Sequence, residues 1–195
     1  QTRAKYFFIV PFIIWEYQHL PHKSRKEKNA SQYLRKREYE IMWDLADTYR
    51  STDGSGVIGA TKIKPQKIAR RPSTIYWGGL STFGIIDTLG LSVEAYLKQT
   101  FRQRMTDLLS EKEGDDSPAD DADAGYERSS GIRVTPPARW DIDVRLELTP
   151  EEAQLLKSRI IDAAGHHLLG HLLTDRSLWS CFSVASTFRD FARSA

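Results

Sequence analysis

The chain has 195 residues, 40% of them hydrophobic, with 28 Lys+Arg against 26 Asp+Glu and a single cysteine. That length holds one ordinary domain or two small ones, and the apolar fraction is enough for a packed core. Cys181 alone excludes an internal disulfide framework and a cysteine-based zinc site, and it fits a reducing, cytoplasmic setting.

The net charge of +2 is unevenly placed. Residues 1–110 carry 18 bases and 10 acids, residues 111–127 carry one base and eight acids, and residues 128–195 carry nine and eight. A basic first part points to a polyanion or an acidic partner, and the plainer alternative is a solvated basic face. The first residue is Gln1 rather than Met, from which a fragment or processed form is expected.

The run Tyr6 to Trp15 (YFFIVPFIIW) is the most apolar stretch. It is about half of the ~20 residues a membrane span needs, and Pro11 interrupts it, so a buried core element is expected and no membrane partner. A helix from Arg3 to Leu20, capped by Thr2 and kinked at Pro11, fits it; a strand remains open. Residues 19–31 form a basic loop with Lys23, Arg25, Lys26 and Lys28. Ser31 then caps an amphipathic helix from Gln32 to Arg50, with Tyr33, Leu34, Ile41, Met42, Leu45 and Ala46 on one stripe, joined by Trp43 and Tyr49. The turn residues Ser51 to Gly56 end it.

Pro65 opens a short helix to about Arg70. Pro72 stops it, and Ser73 or Thr74 caps the next, Ile75 to Phe83, with Gly84 as its breaker. Gly78 and Gly79 inside that helix cost about 1 kcal/mol each relative to Ala, so a close backbone approach or a break is expected there. Ile85 and Ile86 leave as an extended segment. Ser92 opens an amphipathic helix to about Leu109. Residues 111–131 are acidic and nearly devoid of apolar side chains, which predicts a disordered linker. Asp141 to Leu148 (DIDVRLEL) alternates like a short extended segment. Thr149, Pro150 and Glu152 write a capping box for a helix to about Ala164, stopped at Gly165. His166 to Thr174 and Ser183 to Arg193 read as two further helices.

The expected fold is therefore mainly α. It is a helical bundle with a winged-helix-like unit at about 32–90 and a short extended segment before a C-terminal helical part. The expected division is a helical domain over 1–110, the linker over 111–131 and the C-terminal part over 132–195.

Residues 65–86 (PQKIARRPSTIYWGGLSTFGII) carry the most chemistry. Read as a helix-turn-helix, Gln66 to Arg70 is the positioning helix and Ser73 to Phe83 the recognition helix for a major groove. The run resembles the recognition helix of bacterial winged-helix regulators, with Ile75 and Leu80 turned to the core. The resemblance implies Ser73, Thr74, Tyr76 and Trp77 near phosphates or bases. Lys62, Lys64, Lys67, Arg70 and Arg71 supply the basic flank that phosphate affinity requires. The departures are two glycines in the recognition helix and basic side chains that precede it. The alternative is a unit that only packs or that docks a protein through Trp77, Trp140 and Trp179.

Other chemistry is thin. His167 and His171 stand i,i+4, as in a zinc-binding helix, but the Glu of H-E-x-x-H is missing and no third ligand is indicated, so no metal and no cofactor are expected. Asp141 and Asp143 form a lone D-x-D of the kind that holds Mg²⁺ in nucleases. No nucleophile elbow, phosphate loop or dinucleotide fingerprint is present, so no catalytic residue is assigned.

The runs QTRAKYFFIVPFI at 1–13, PSTIYWGGLSTFGI at 72–85 and LELTPEEAQLLKSRI at 146–160 together resemble an uncharacterised bacterial family known only as a domain of unknown function. The resemblance spans most of the chain outside the acidic stretch. It implies a setting near mobile-element and phage-defence genes and transfers no functional residue. The expectation is a nucleic-acid-associated accessory protein in phage defence or DNA transactions, with a protein–protein adaptor or structural subunit as the alternative.

Overall fold

The computed structural model describes residues 3–20, 29–52, 55–62, 64–66, 68–100, 102 and 131–184. These are mainly helical: α1 (Tyr6–His19), α2 (Ala30–Thr48), α3 (Pro72–Thr82), α4 (93–100), α5 (Pro150–Ala164), α6 (Leu168–Thr174) and α7 (Arg176–Val184). No strand occurs among the described residues; one antiparallel bridge joins Ile86 to Ile132. None of the described helices is long and apolar enough to cross a membrane.

The chain divides into two compact units, 1–81 with 85–148 and 82–84 with 149–195. In the later part of the chain the division falls at Thr149. Residues 132–148, expected to start the C-terminal part, fall in the first unit together with Gly131. They are held there by named contacts. Asp87 N–H donates to Gly131 O at 2.7 Å and Arg133 N–H to Ile85 O at 3.0 Å. Trp140 packs edge-on against Phe12 at 5.3 Å, and Leu146 N–H donates to the Tyr49 hydroxyl at 3.1 Å. The 131–148 segment acts as a strap across α1 and α2. The acidic linker and the basic loop of Lys23, Arg25, Lys26 and Lys28 lie outside the described residues, apart from Gly131.

The all-round apolarity of α1 predicts a helix enclosed by its neighbours, and it is one: Phe8, Ile9, Val10, Phe12, Ile13 and Ile14 are all within 3% of full burial. Pro11 sits inside the helix and is also buried. α2 begins at Ala30 rather than Gln32, because Asn29 and not Ser31 supplies the cap. Its side chain accepts from Ser31 N–H at 2.9 Å and more weakly from Gln32 N–H at 3.4 Å. α2 buries the predicted stripe of Tyr33, Leu34, Ile41, Met42, Leu45 and Ala46, and Tyr33 packs on Tyr17 of α1 at 5.3 Å.

α3 lies against α1 through Tyr76, whose ring sits 5.3 Å from Tyr6 and 5.0 Å from Phe7. Leu80 is fully buried as expected, but Ile75, expected to face the core beside it, is 40% exposed. α3 runs unbroken through Gly78, and a side chain built there would meet nothing within 4 Å. The expected close approach or break is absent at that glycine. Trp77 of α3 packs on Tyr96 of α4 at 5.3 Å, and its indole N–H donates to Leu91 O at 2.7 Å.

One expected helix, Gln66 to Arg70, is absent at its described positions. So short a helix gains too few internal bonds to offset its nucleation. Ile68 instead packs against the turn at Gly59, where φ is +80° and a Cβ would meet the Ile68 side chain at 2.9 Å. Asp141 to Leu148 forms no strand and includes turns and bends. Asp141 pairs with Arg37 of α2, Asp143 with Arg145 of the same segment, and the Leu146 N–H goes to the Tyr49 hydroxyl; of the alternating apolar side chains Leu146 is buried and Ile142 is 63% exposed.

In the second unit the capping box forms as written. Thr149 Oγ1 accepts from Glu152 N–H at 3.2 Å, and a Glu152 carboxylate oxygen accepts from Thr149 N–H at 2.9 Å. α5 ends at Ala164 with Gly165 as C-cap. Asp175 accepts from Ser177 N–H at 2.8 Å and opens α7; the helix expected over Ser183 to Arg193 lies, beyond Val184, outside the described residues.

Candidate nucleic-acid interface

Between Asp53 and Asp87 the sequence has no acidic residue but five bases. The described parts of this stretch form a loop over 55–71 that leads into α3. Two contacts fix the loop along α2. At one end Arg71 Nη1 lies 3.0 Å from a Glu38 carboxylate oxygen. At the other the Lys64 ammonium stands over the Trp43 ring, 5.5 Å from its centroid. Glu38 and Trp43 are five residues apart on α2, about 7.5 Å at the α-helical rise.

Glu38 is completely buried, which is unusual for a carboxylate. Its second oxygen accepts from Ser73 N–H at 2.6 Å, one of the orphan donors of the first turn of α3. Burial pushes the Glu38 carboxyl above the ordinary carboxylate range, while the Ser73 N–H and then Arg71 pull it back. A carboxyl group supplied by the protein itself therefore already occupies the N-terminus of α3.

The predicted site residues separate on this geometry. Lys62, Lys64 and Arg70 are exposed, and none of them forms an ion pair among the described residues. Arg71 is only 18% exposed and is engaged by Glu38. Thr74 is exposed on α3, whereas Ser73 is fully buried. Tyr76 is buried too, and its hydroxyl donates to Arg3 O at 2.8 Å. Arg71, Ser73 and Tyr76 are thus corrected from surface contacts to structural residues. Each has an internal partner that lies far away in sequence. Lys67 lies outside the described residues.

The exposed positions of α3, which include Thr74, Ile75, Gly78, Ser81 and Thr82, are uncharged. No basic side chain rides on the helix that the sequence casts as the groove reader. Two residues not assigned from sequence complete the loop's surroundings. Tyr39 and Trp43, i,i+4 on α2, stack at 5.6 Å with 15° between their planes, and both are half-buried. Trp43, expected to join the apolar stripe, is only half-buried; the signal for the pair is two aromatics at helical spacing amid charged residues.

The other candidates do not assemble. Asp141 lies 2.8 Å from Arg37, and Asp143 lies 3.0 Å from Arg145, so each acid of the D-x-D has an arginine partner. His166, His167 and His171 do not converge on a site. Among the described residues no group of three or more His, Cys, Asp or Glu is placed to hold a metal ion. Of the proposed docking aromatics, Trp77 and Trp140 pack internally, and Trp179 is 53% exposed.

No protein-family model, no curated protein and no solved structure matches this chain.

Proposed function

We propose that this protein is a nucleic-acid-associated accessory protein that holds phosphate through the 55–71 loop. One observation carries the proposal: Lys62, Lys64 and Arg70 are exposed, unpaired by any acid among the described residues, and set in a stretch free of Asp and Glu. Bases left without acidic partners are what counterion release by a polyanion needs. Of the winged-helix expectation, the basic flank is carried forward and the recognition helix is not. The bacterial setting, in phage defence or DNA transactions in the cytoplasm, rests on the family resemblance of residues 1–13, 72–85 and 146–160. No reaction is assigned.

A protein adaptor is the second reading, and it now rests on the second unit, where Leu168, Leu169 and Trp179 are each more than 40% exposed.

Equilibrium binding to mixed-sequence nucleic acid at low salt tests the first reading. Wild type binds, and the triple variant Lys62→Ala, Lys64→Ala, Arg70→Ala binds at least about tenfold more weakly. A wild type that ignores nucleic acid at low salt ends this reading and leaves the adaptor.

A further inference from the structure

The aromatic pair beside the basic loop defines the ligand more narrowly. Proteins that grip a duplex read its grooves with side chains on an inserted helix or ribbon. Here the helix cast in that part, α3, presents no base and buries Ser73 and Tyr76. Proteins that hold single strands combine a basic track for the backbone with aromatic side chains against which bases stack. The loop and α2 offer that combination. Lys64 and Arg70 are exposed along the loop, and Tyr39 and Trp43 stand under it on one face of α2. The Glu38–Arg71 contact holds Arg70 near the turn that carries Tyr39, and Lys64 lies over the ring one turn further on.

Trp43 carries a second, independent mark. Its indole N–H is buried and has no hydrogen-bond partner among the described residues. A buried donor left unmade is costly and calls for an explanation, as does the Ser73 Oγ. The ring is contacted by the Tyr39 stack and by a lysine that is itself exposed. A cation over an exposed part of an indole gains only a small attraction, so it is readily exchanged.

We propose that the ligand of this site is a single-stranded nucleic acid, one base of which stacks at Trp43 while Lys64 moves from the ring to a neighbouring phosphate. This rests on the phosphate-binding role of the 55–71 loop. No covalent step is involved. The base takes over the face the ammonium covers, and the ammonium gains a negative partner.

The test uses the full chain with three probes of equal length: oligo-dT, oligo-U and a mixed-sequence duplex, at one salt concentration. Wild type binds at least one of the single strands about tenfold more tightly than the duplex, the size of one base–aromatic stack. Trp43→Leu loses about that factor for the single strand and leaves duplex affinity and the salt dependence unchanged. Trp43→Phe keeps a π face and most of the affinity. Oligonucleotide quenches tryptophan emission in wild type, and the quench is lost in Trp43→Phe. If the leucine variant does not fold, the phenylalanine variant and the quench decide. Equal binding of single strand and duplex, with both Trp43 variants at wild-type affinity and no quench, overturns the inference and leaves phosphate contact standing. No binding of any probe at low salt overturns both.

Discussion

Arg37 on α2 and Arg70 on the loop are both set in basic stretches of the sequence, and the fold treats them in opposite ways. Arg37 is 18% exposed and reaches three carboxylates: Glu16 at 3.3 Å, Glu40 at 3.1 Å and Asp141 at 2.8 Å. Through them it ties α1, α2 and the strap together. Around Arg70, among the described residues, the one ion pair is that of its neighbour Arg71 with Glu38, and Lys62, Lys64 and Arg70 are left open. The contrast teaches that charge count in a sequence does not locate a binding surface. What locates it is the charge that remains after the fold has paired its own.

Substitutions on the two sides of this contrast have opposite signatures. Removing the buried acid in Glu38→Ala strands the Arg71 guanidinium and the Ser73 N–H. Breaking one partner of a buried pair costs about 3–5 kcal/mol, read as a fall in the urea midpoint. Arg37→Ala removes the joint between the strap and α2 and destabilises by about 2 kcal/mol. Limited proteolysis then cuts within 131–148 sooner than in wild type. If either variant instead loses nucleic-acid affinity with no loss of stability, the division between structural and functional charge is mistaken.

Smaller effects sharpen it. Gly78 is exposed in mid-helix with open space around it, so Gly78→Ala stabilises by about 0.5–1 kcal/mol and leaves binding untouched. A destabilised Gly78→Ala would reveal a constraint on α3. The raised Glu38 carboxyl gives a pH signature. The folded state holds its proton to higher pH than the unfolded chain, so stability from this group is present at acid pH and falls as pH rises above the ordinary carboxylate range. In Glu38→Gln that part of the pH dependence is gone.

The local features of the fold were legible in the sequence. The helical apolar run of α1, most of the stripe of α2 and the Thr149–Glu152 capping box each depend on neighbours within a few turns and each appears, although α1 starts at Tyr6 rather than Arg3 and Trp43 and Tyr49 are only half-buried. The failures share a cause. Arg71, Ser73 and Tyr76 look like surface contacts until Glu38 and Arg3, 33 to 73 residues upstream, are brought to them. The strap at 131–148 reads as the start of a new part until Tyr49, Phe12 and Arg37 claim it. The exposure of Lys62, Lys64 and Arg70 was legible because it is the default for such side chains. The Tyr39–Trp43 ledge was not, because its meaning depends on the lysine placed over it.

The most direct test is the salt dependence of nucleic-acid binding, with wild type compared with the Lys62→Ala, Lys64→Ala, Arg70→Ala variant. Taking three cations away from the phosphates of a single strand makes the slope of log K against log salt shallower by about 2, while the urea midpoint stays where it was. A variant with the wild-type slope would contradict the claim that these three side chains are the charge the fold leaves for a partner.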